Sequence, residues 1–239
     1  MDDLDPFAST IPAPTAARPL MGLTILVVED SRFACEAMRL LSLRSGARIR
    51  RADCLRSARR HLQVYRPSVV IADLGLPDGN GADLIAELNV ASPRVGVLLG
   101  TSGDPGGESA ARAAGADGFI PKPITSLGAF QQIVLSNMPA DRQPCGLRLV
   151  EDEEIHPDLI AFQDDMAHIA EVLEDPPNEH ALDYVAQFLG GVARSAKDQG
   201  LETAALALAR QRACGRSARS ETAILAGMIQ ERLTRKIAI

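Results

Sequence analysis

Four short apolar runs of this chain each end in a group that can do chemistry. The run 24-TILVV-28 is followed by Glu29 and Asp30, and 68-SVVIA-72 by Asp73. The run 95-VGVLL-99 leads to Thr101 and Ser102, and 118-GFI-120 to 121-PKP-123 with Lys122. Taken singly, each residue has an ordinary explanation: an Asp after a strand caps or turns the chain, a Lys before Pro is solvated, and a Thr is filler. Taken together at the same end of successive strands, they describe a pocket. Three carboxylates repel one another unless a cation neutralises them, and hard oxygen ligands with room for water suit Mg²⁺. A lysine and a hydroxyl beside that ion would complete a cradle for a phosphoryl group.

These groups meet only if the runs are parallel strands, and the patterning says they are. Most of the runs, with 47-ARIRRA-52 as the fifth, do not alternate, which suits strands covered on both faces. Between them apolar residues recur at helical spacing, as in Phe33, Ala34, Ala37, Met38 and Leu41, or Leu127, Phe130, Ile133 and Val134. Five strands alternating with five helices predict a doubly wound, five-stranded parallel α/β sheet. Ligands of such sheets bind beyond the carboxyl ends of the strands.

The motifs 25-ILVVEDS-31, 73-DLGLPDGNG-81, 98-LLGTSGD-104 and 115-GADGFIPKP-123, in this order and spacing, resemble the receiver (CheY-like, flavodoxin-like) domain of bacterial two-component response regulators, over about residues 22–140. The resemblance implies that Asp73 is the phospho-acceptor. It implies that Asp30, Asp73 and the backbone carbonyl of Gly75 hold Mg²⁺, with Glu29 acting through water. Thr101 and Lys122 would contact the phosphoryl group and Phe119 would occupy the aromatic switch position. Pro77, Gly81 and Pro123, the last after a cis bond, fit the family's loops. Glu29 stands where Asp is usual, and Phe119 lacks a tyrosine hydroxyl. The implied partner is a sensor histidine kinase or histidine phosphotransfer protein, and the implied activity is limited to the domain's own phosphorylation and dephosphorylation. The glycine-rich 100-GTSGDPGG-107 has neither the GxGxxG nor the GxxxxGK[ST] spacing of a nucleotide loop.

Residues 1–22, rich in Pro and small side chains, read as a flexible leader, 23–140 as the receiver, 141–155 as a linker and 156–239 as an all-α helical bundle. Four amphipathic segments make up the last part: one from Leu159 to Leu173, one from Val185 to Ala196 beyond the break at 175-DPPN-178, and one each over 201–210 and 221–233. The stretch 185–210 resembles the core of a histidine phosphotransfer domain. That family places an exposed His, then Leu, Lys and Gly at the second, third and fourth following positions; here Gln187, Leu189, Gly190 and Gly191 stand there. A glutamine cannot carry the phosphoryl group, so the resemblance implies a degenerate module for protein binding or dimerisation. Gly190 and Gly191 also fit close helix packing, at about 0.8–1 kcal/mol each in helix propensity.

Two other outputs are open. His168, opposite the apolar stripe of its helix, is a non-standard phosphorelay histidine in one reading and an ordinary surface residue in the other; His61, His156 and His180 read as surface or helix-start residues. Seven basic residues against two acids over 204–239 (Arg210, Arg212, Arg216, Arg219, Arg232, Arg235 and Lys236 against Glu221 and Glu231) are the basis for a DNA-binding regulator. Against it, residues 156–239 as a whole hold nine basic and twelve acidic side chains, and the net charge of the 239-residue chain is −6, which argues against general attraction to nucleic acid or anionic membrane. The start MDDLDPFAST is acidic where a signal peptide is basic. No apolar run approaches the length of a membrane span, roughly 20 residues. A cytoplasmic location follows as the expectation, with Cys35, Cys54, Cys145 and Cys214 as thiols outside any CxxC pair.

Overall fold

A computed structural model describes residues 13–144, 153–174 and 179–234. Cys145, the break at 175–178, Arg235 and Lys236, the first twelve residues of the leader and residues 145–152 of the linker lie outside the described residues.

The first half alternates strand and helix: β1 (Thr24–Val28), α1 (Arg32–Arg44), β2 (Arg48–Ala52), α2 (Leu55–Val64), β3 (Val69–Asp73), α3 (Gly81–Val90), β4 (Val97–Ser102), α4 (Gly107–Ala113), β5 (Gly118–Pro121) and α5 (Leu127–Ser136). The strands form one five-stranded sheet in the order β2-β1-β3-β4-β5, every neighbouring pair parallel. The expected doubly wound sheet is therefore present. The chain reverses direction across the sheet between β1 and β3, so their carboxyl ends flank the crevice where such folds bind ligands.

Each face of the sheet has its own core. Ile25, Val27, Ile71 and Leu99 pack beneath α1 and α5 against Met38, Leu41, Phe130 and Val134. Leu26, Val28, Val70 and Leu98 pack on the other side against Leu55, Leu84, Ile85 and Ala111. Val69–Asp73 is buried throughout, which explains why its sequence does not alternate. The predicted stripe of α1 is the buried one, with Phe33, Ala37, Met38 and Leu41 inward.

Two boundary segments are more closely attached than leader and linker imply. Leu20 is wholly buried, and its backbone N–H donates to the Ser45 carbonyl at 2.9 Å. At the other end, Ile155 is buried in the sheet domain's core, its N–H donates to the Thr125 carbonyl at 2.8 Å, and the Glu153 carbonyl accepts from Leu127 N–H at 2.9 Å. Ile155 is a single large apolar side chain among polar neighbours, invisible to periodicity, whereas Leu20 stands in a Pro- and Gly-containing stretch (19-PLMGL-23) that carries no regular period.

The remaining described residues form α6 (Leu159–Glu174), α7 (Glu179–Ser195), α8 (Gln199–Ala213) and α9 (Arg219–Thr234) around a third core, centred on Met166, Ile169, Val185, Leu189, Leu201, Leu208 and Leu225. Helix α7 begins six residues before Val185, because Glu179–Tyr184 are polar enough to escape an apolar count. No described helix is long and apolar enough to cross a membrane.

Candidate phosphorylation pocket

The strand ends deliver their polar groups to one place. Glu29, Asp30 and Asp73 offer carboxylate oxygens that all lie within 4.8 Å of one another. Lys122 Nζ enters the same space, 2.6 Å from Glu29 Oε2 and 2.9 Å from Asp73 Oδ2. The Lys122–Pro123 peptide is cis. A Cβ added at Gly81, the first residue of α3, would run into the Asp73 carbonyl, with Asp73 C only 2.8 Å away. Only glycine lets α3 begin this close behind Asp73.

One ammonium does not balance three carboxylates, and burial adds to the cost of keeping them charged. Burial pushes Asp30 up to about 7, with the nearby Asp73 charge acting the same way and Lys122 and the Tyr184 hydroxyl opposing it. Burial likewise raises Glu29 well above the usual carboxylate range, against the pull of Lys122. Burial opposes the Lys122 charge, yet the carboxylates of Asp73 and Glu29 outweigh it and hold the ammonium above its ordinary value. A compact set of hard oxygen donors with surplus negative charge fits a divalent cation of the Mg²⁺ type, which receiver domains generally hold in such an acidic pocket.

Not every expected residue reaches the cavity. Gly75 lines it beside Asp30, Asp73 and Lys122. Glu29 lines it too and pairs directly with Lys122. Thr101 is fully buried and its hydroxyl donates to the Ile120 carbonyl at 2.8 Å, inside the sheet. Contact with a phosphoryl group would require that hydroxyl to leave a satisfied bond; Ser102, the next residue, lines the cavity instead. Phe119 is half-buried and packs against the start of α4 and Gly100.

The helical half closes the other side of the pocket, which no periodicity argument foresaw. Asp165 on α6, 1 % exposed, caps α1: Oδ1 accepts from Arg32 N–H at 2.7 Å, and Oδ2 accepts from the Ser31 hydroxyl at 2.7 Å and Phe33 N–H at 3.1 Å. An acidic group at a helix N-terminus is favoured by the unpaired N–H groups there. Alongside, Arg32 pairs with Asp164 at 2.9 Å and Phe33 meets Phe162 edge-on at 5.9 Å between centroids. On α7, the Tyr184 hydroxyl donates to Asp30 Oδ2 at 2.8 Å; burial and the Asp30 charge hold its proton on, so it is the donor. Arg194 donates to the Gly103 carbonyl at 2.7 Å, and Gln187 Nε2 donates to Asp104 Oδ2 at 3.3 Å.

Between sheet and helices a cavity of about 490 Å³ remains, with Asp73, Gly75 and Lys122 on one wall and Gln187, Gly190 and Gly191 on the other. A Cβ at Gly190 or Gly191 would meet nothing within 4 Å, so these glycines do not serve the close helix packing expected of them. They set back the wall of the cavity. One signal lay in the sequence: Tyr184 and Gln187 are three residues apart on a helix and share a face, but nothing in α7 says which surface that face meets.

The histidines and the basic stripe are placed as follows. His168 is exposed but not simply solvated, since its Nε2 lies 3.2 Å from the Tyr184 hydroxyl and its ring packs edge-on to Phe188. His61 stacks edge-on to Tyr65, and His180 is the second residue of α7. Arg212 is ion-paired with Asp183 and Glu179, and Arg232 with Asp198, so two members of the stripe have partners within the helices. Cys35 is buried and donates to the Glu29 carbonyl at 3.3 Å; Cys54 caps α2, and Cys214 is exposed at the end of α8.

Residues 25–133 match the response regulator receiver domain, and the match does not extend into α6–α9. The KDP operon transcriptional regulatory protein KdpE of Escherichia coli (strain K12) is 30% identical over 139 residues, 57% of this chain and 61% of that protein. The probable transcriptional regulatory protein TcrX of Mycobacterium tuberculosis is 33% identical over 114 residues, 47% of each chain. The matches thus span about half to three fifths of these relatives' length. Among solved structures, the signal receiver domain of a signal transduction histidine kinase from Syntrophus aciditrophicus is 23% identical with a TM-score of 0.45, covering 54% of this chain and 99% of that one. Residues 25–133 are a receiver domain of the response-regulator kind, joined in this chain to four further helices that close over its pocket.

Proposed function

We propose that the chain is a two-component response regulator that accepts a phosphoryl group on Asp73 from a phosphohistidine of a sensor histidine kinase or phosphotransfer protein. The observation that carries this reading is the pairing of buried Asp73 with Lys122 beside Glu29 and Asp30, at the carboxyl ends of β1, β3 and β5. An Asp73 carboxylate oxygen attacks phosphorus in line, the bond to the donor nitrogen breaks, and its electron pair returns to the imidazole. Lys122 sits where it can neutralise a phosphoryl oxygen as well as hold the attacking carboxylate. Mg²⁺, when bound by Asp30, Asp73 and the Gly75 carbonyl, supplies the remaining charge neutralisation. The helices α6–α9 are the output module, a binding or dimerisation surface whose availability follows the state of Asp73. The route is short, since Tyr184 touches Asp30 and Arg194 touches the loop after β4.

With Mg²⁺ and acetyl phosphate, intact-mass analysis should show one phosphoryl group on the full chain, absent from Asp73→Asn. No adduct on the parent protein, or an unchanged adduct in the variant, refutes the reading.

A further inference from the structure

One of the groups that α7 presents to the pocket is an amide. Gln187 reaches to Gly75, two residues beyond Asp73: a Cβ there would lie 2.8 Å from Gln187 Cδ and 3.1 Å from Oε1. The orientation of that amide is set by chemistry. Its partner, Asp104 Oδ2, lies at 3.3 Å. A carboxylate oxygen only accepts, so the amide must turn its NH₂ toward it. Oε1 is left as an acceptor that no described residue engages, on the wall of the cavity that also holds Asp73 and Lys122.

That cavity is roomy. Its volume is about 490 Å³. A water's share of liquid volume is about 30 Å³, so there is space for a phosphoryl group and several waters. The set-back at Gly190 and Gly191 keeps that space open on the α7 side. An amide is no nucleophile and cannot relay the group, but its oxygen can take one O–H of a water and turn the lone pair toward phosphorus. Glutamine is used in this way to orient attacking water in phosphoryl hydrolysis.

We propose that Gln187 positions the water that hydrolyses the aspartyl phosphate of Asp73, so that the helical half sets the lifetime of the signal it receives. The proposal rests on Asp73 being the acceptor. In the step, water oxygen bonds to phosphorus as the bond from phosphorus to the Asp73 oxygen breaks. The electron pair returns to the Asp73 carboxylate, inorganic phosphate leaves, and one proton of the water passes to solvent. Lys122 steadies the carboxylate that re-forms, through the contact it makes in the resting state.

The test uses the full chain, phosphorylated with acetyl phosphate and Mg²⁺ and then freed of donor, with loss of the adduct followed by intact mass and phosphate release. Gln187→Ala and Gln187→Leu should both retain the adduct about tenfold longer, a change of about 1.4 kcal/mol in the barrier. Gln187 is exposed, so both should unfold at the parent's temperature. In H₂¹⁸O the label should appear in phosphate and not in Asp73. If Gln187 only plugs the pocket, Gln187→Ala will lose the adduct faster and Gln187→Leu at the parent's rate. Either result, or equal rates in all three proteins, overturns the proposal. A parent that takes no phosphoryl group refutes the acceptor assignment itself, and this inference with it.

Discussion

Replacing Asp165 with alanine should detach the helical half from the sheet domain without unfolding either. The carboxylate accepts three hydrogen bonds across the interface, from the Ser31 hydroxyl, Arg32 N–H and Phe33 N–H. Bonds to a charged acceptor contribute about 1.5–3 kcal/mol each, so their gross sum is roughly 5–9 kcal/mol. The net figure is smaller, because burial holds the Asp165 carboxyl above its usual range even against those three donors. Desolvation therefore offsets much of the gross gain, and truncation should cost about 3–5 kcal/mol, since each buried donor left without its acceptor costs about 1–3 kcal/mol. The remaining cross-contacts include Arg32 with Asp164, a pair exposed on both sides. Such a pair is worth about 0–1 kcal/mol. The bonds of Tyr184 to Asp30 and of Arg194 to the Gly103 carbonyl are among the other links, and without the Asp165 anchor they should not keep the interface closed. Amide exchange reads this directly. In Asp165→Ala, Arg32 and Phe33 N–H, α6 and the Gln187 face of α7 should lose protection while β1 and β3 keep theirs. Unchanged protection at Arg32 and Phe33 would refute the claim that Asp165 is the anchor.

Two further substitutions probe the pocket from its two sides. Tyr184→Phe removes the hydroxyl that donates to Asp30. It should lower stability toward urea by about 1.5–3 kcal/mol, the value of a bond to a charged partner; an unchanged midpoint would mean that water replaces the hydroxyl without loss. Gly81→Ala pushes a methyl group into the Asp73 carbonyl. It should cost about 1–3 kcal/mol by overpacking while also slowing phosphorylation by acetyl phosphate, because the displaced backbone carries the acceptor. Stability loss with an unaltered phosphorylation rate would show that the strain dissipates into α3 instead.

Much of the receiver half is legible in the amino-acid sequence, and the reason is local. Parallel strands buried on both faces read as unbroken apolar runs, and chain order then places every strand end on one edge. Glu29, Asp30, Asp73 and Lys122 meet because the register of a parallel sheet leaves them nowhere else to go. Thr101 shows the limit of that argument: its position follows from the strand, but its hydroxyl chose the Ile120 carbonyl, a choice made by a neighbouring strand. Ile155 escaped for a different reason, since an isolated apolar residue carries no period.

The amino-acid sequence by itself determined the sheet, the acidic pocket and the helical frame that carries Gln187. Only the tertiary structure decided where that frame sits. Periodicity along α6 and α7 separates an apolar face from a polar one but does not say what the polar face will meet. Asp165 and Tyr184 reach the sheet domain from positions 134 and 154 residues along the chain from their partners Ser31 and Asp30. They do so through hydrogen bonds whose donors and acceptors look like ordinary surface groups until the two halves are packed together. Gly190 and Gly191 looked like packing residues and became the open wall of a cavity, because the partner surface lies farther off than a neighbouring helix would.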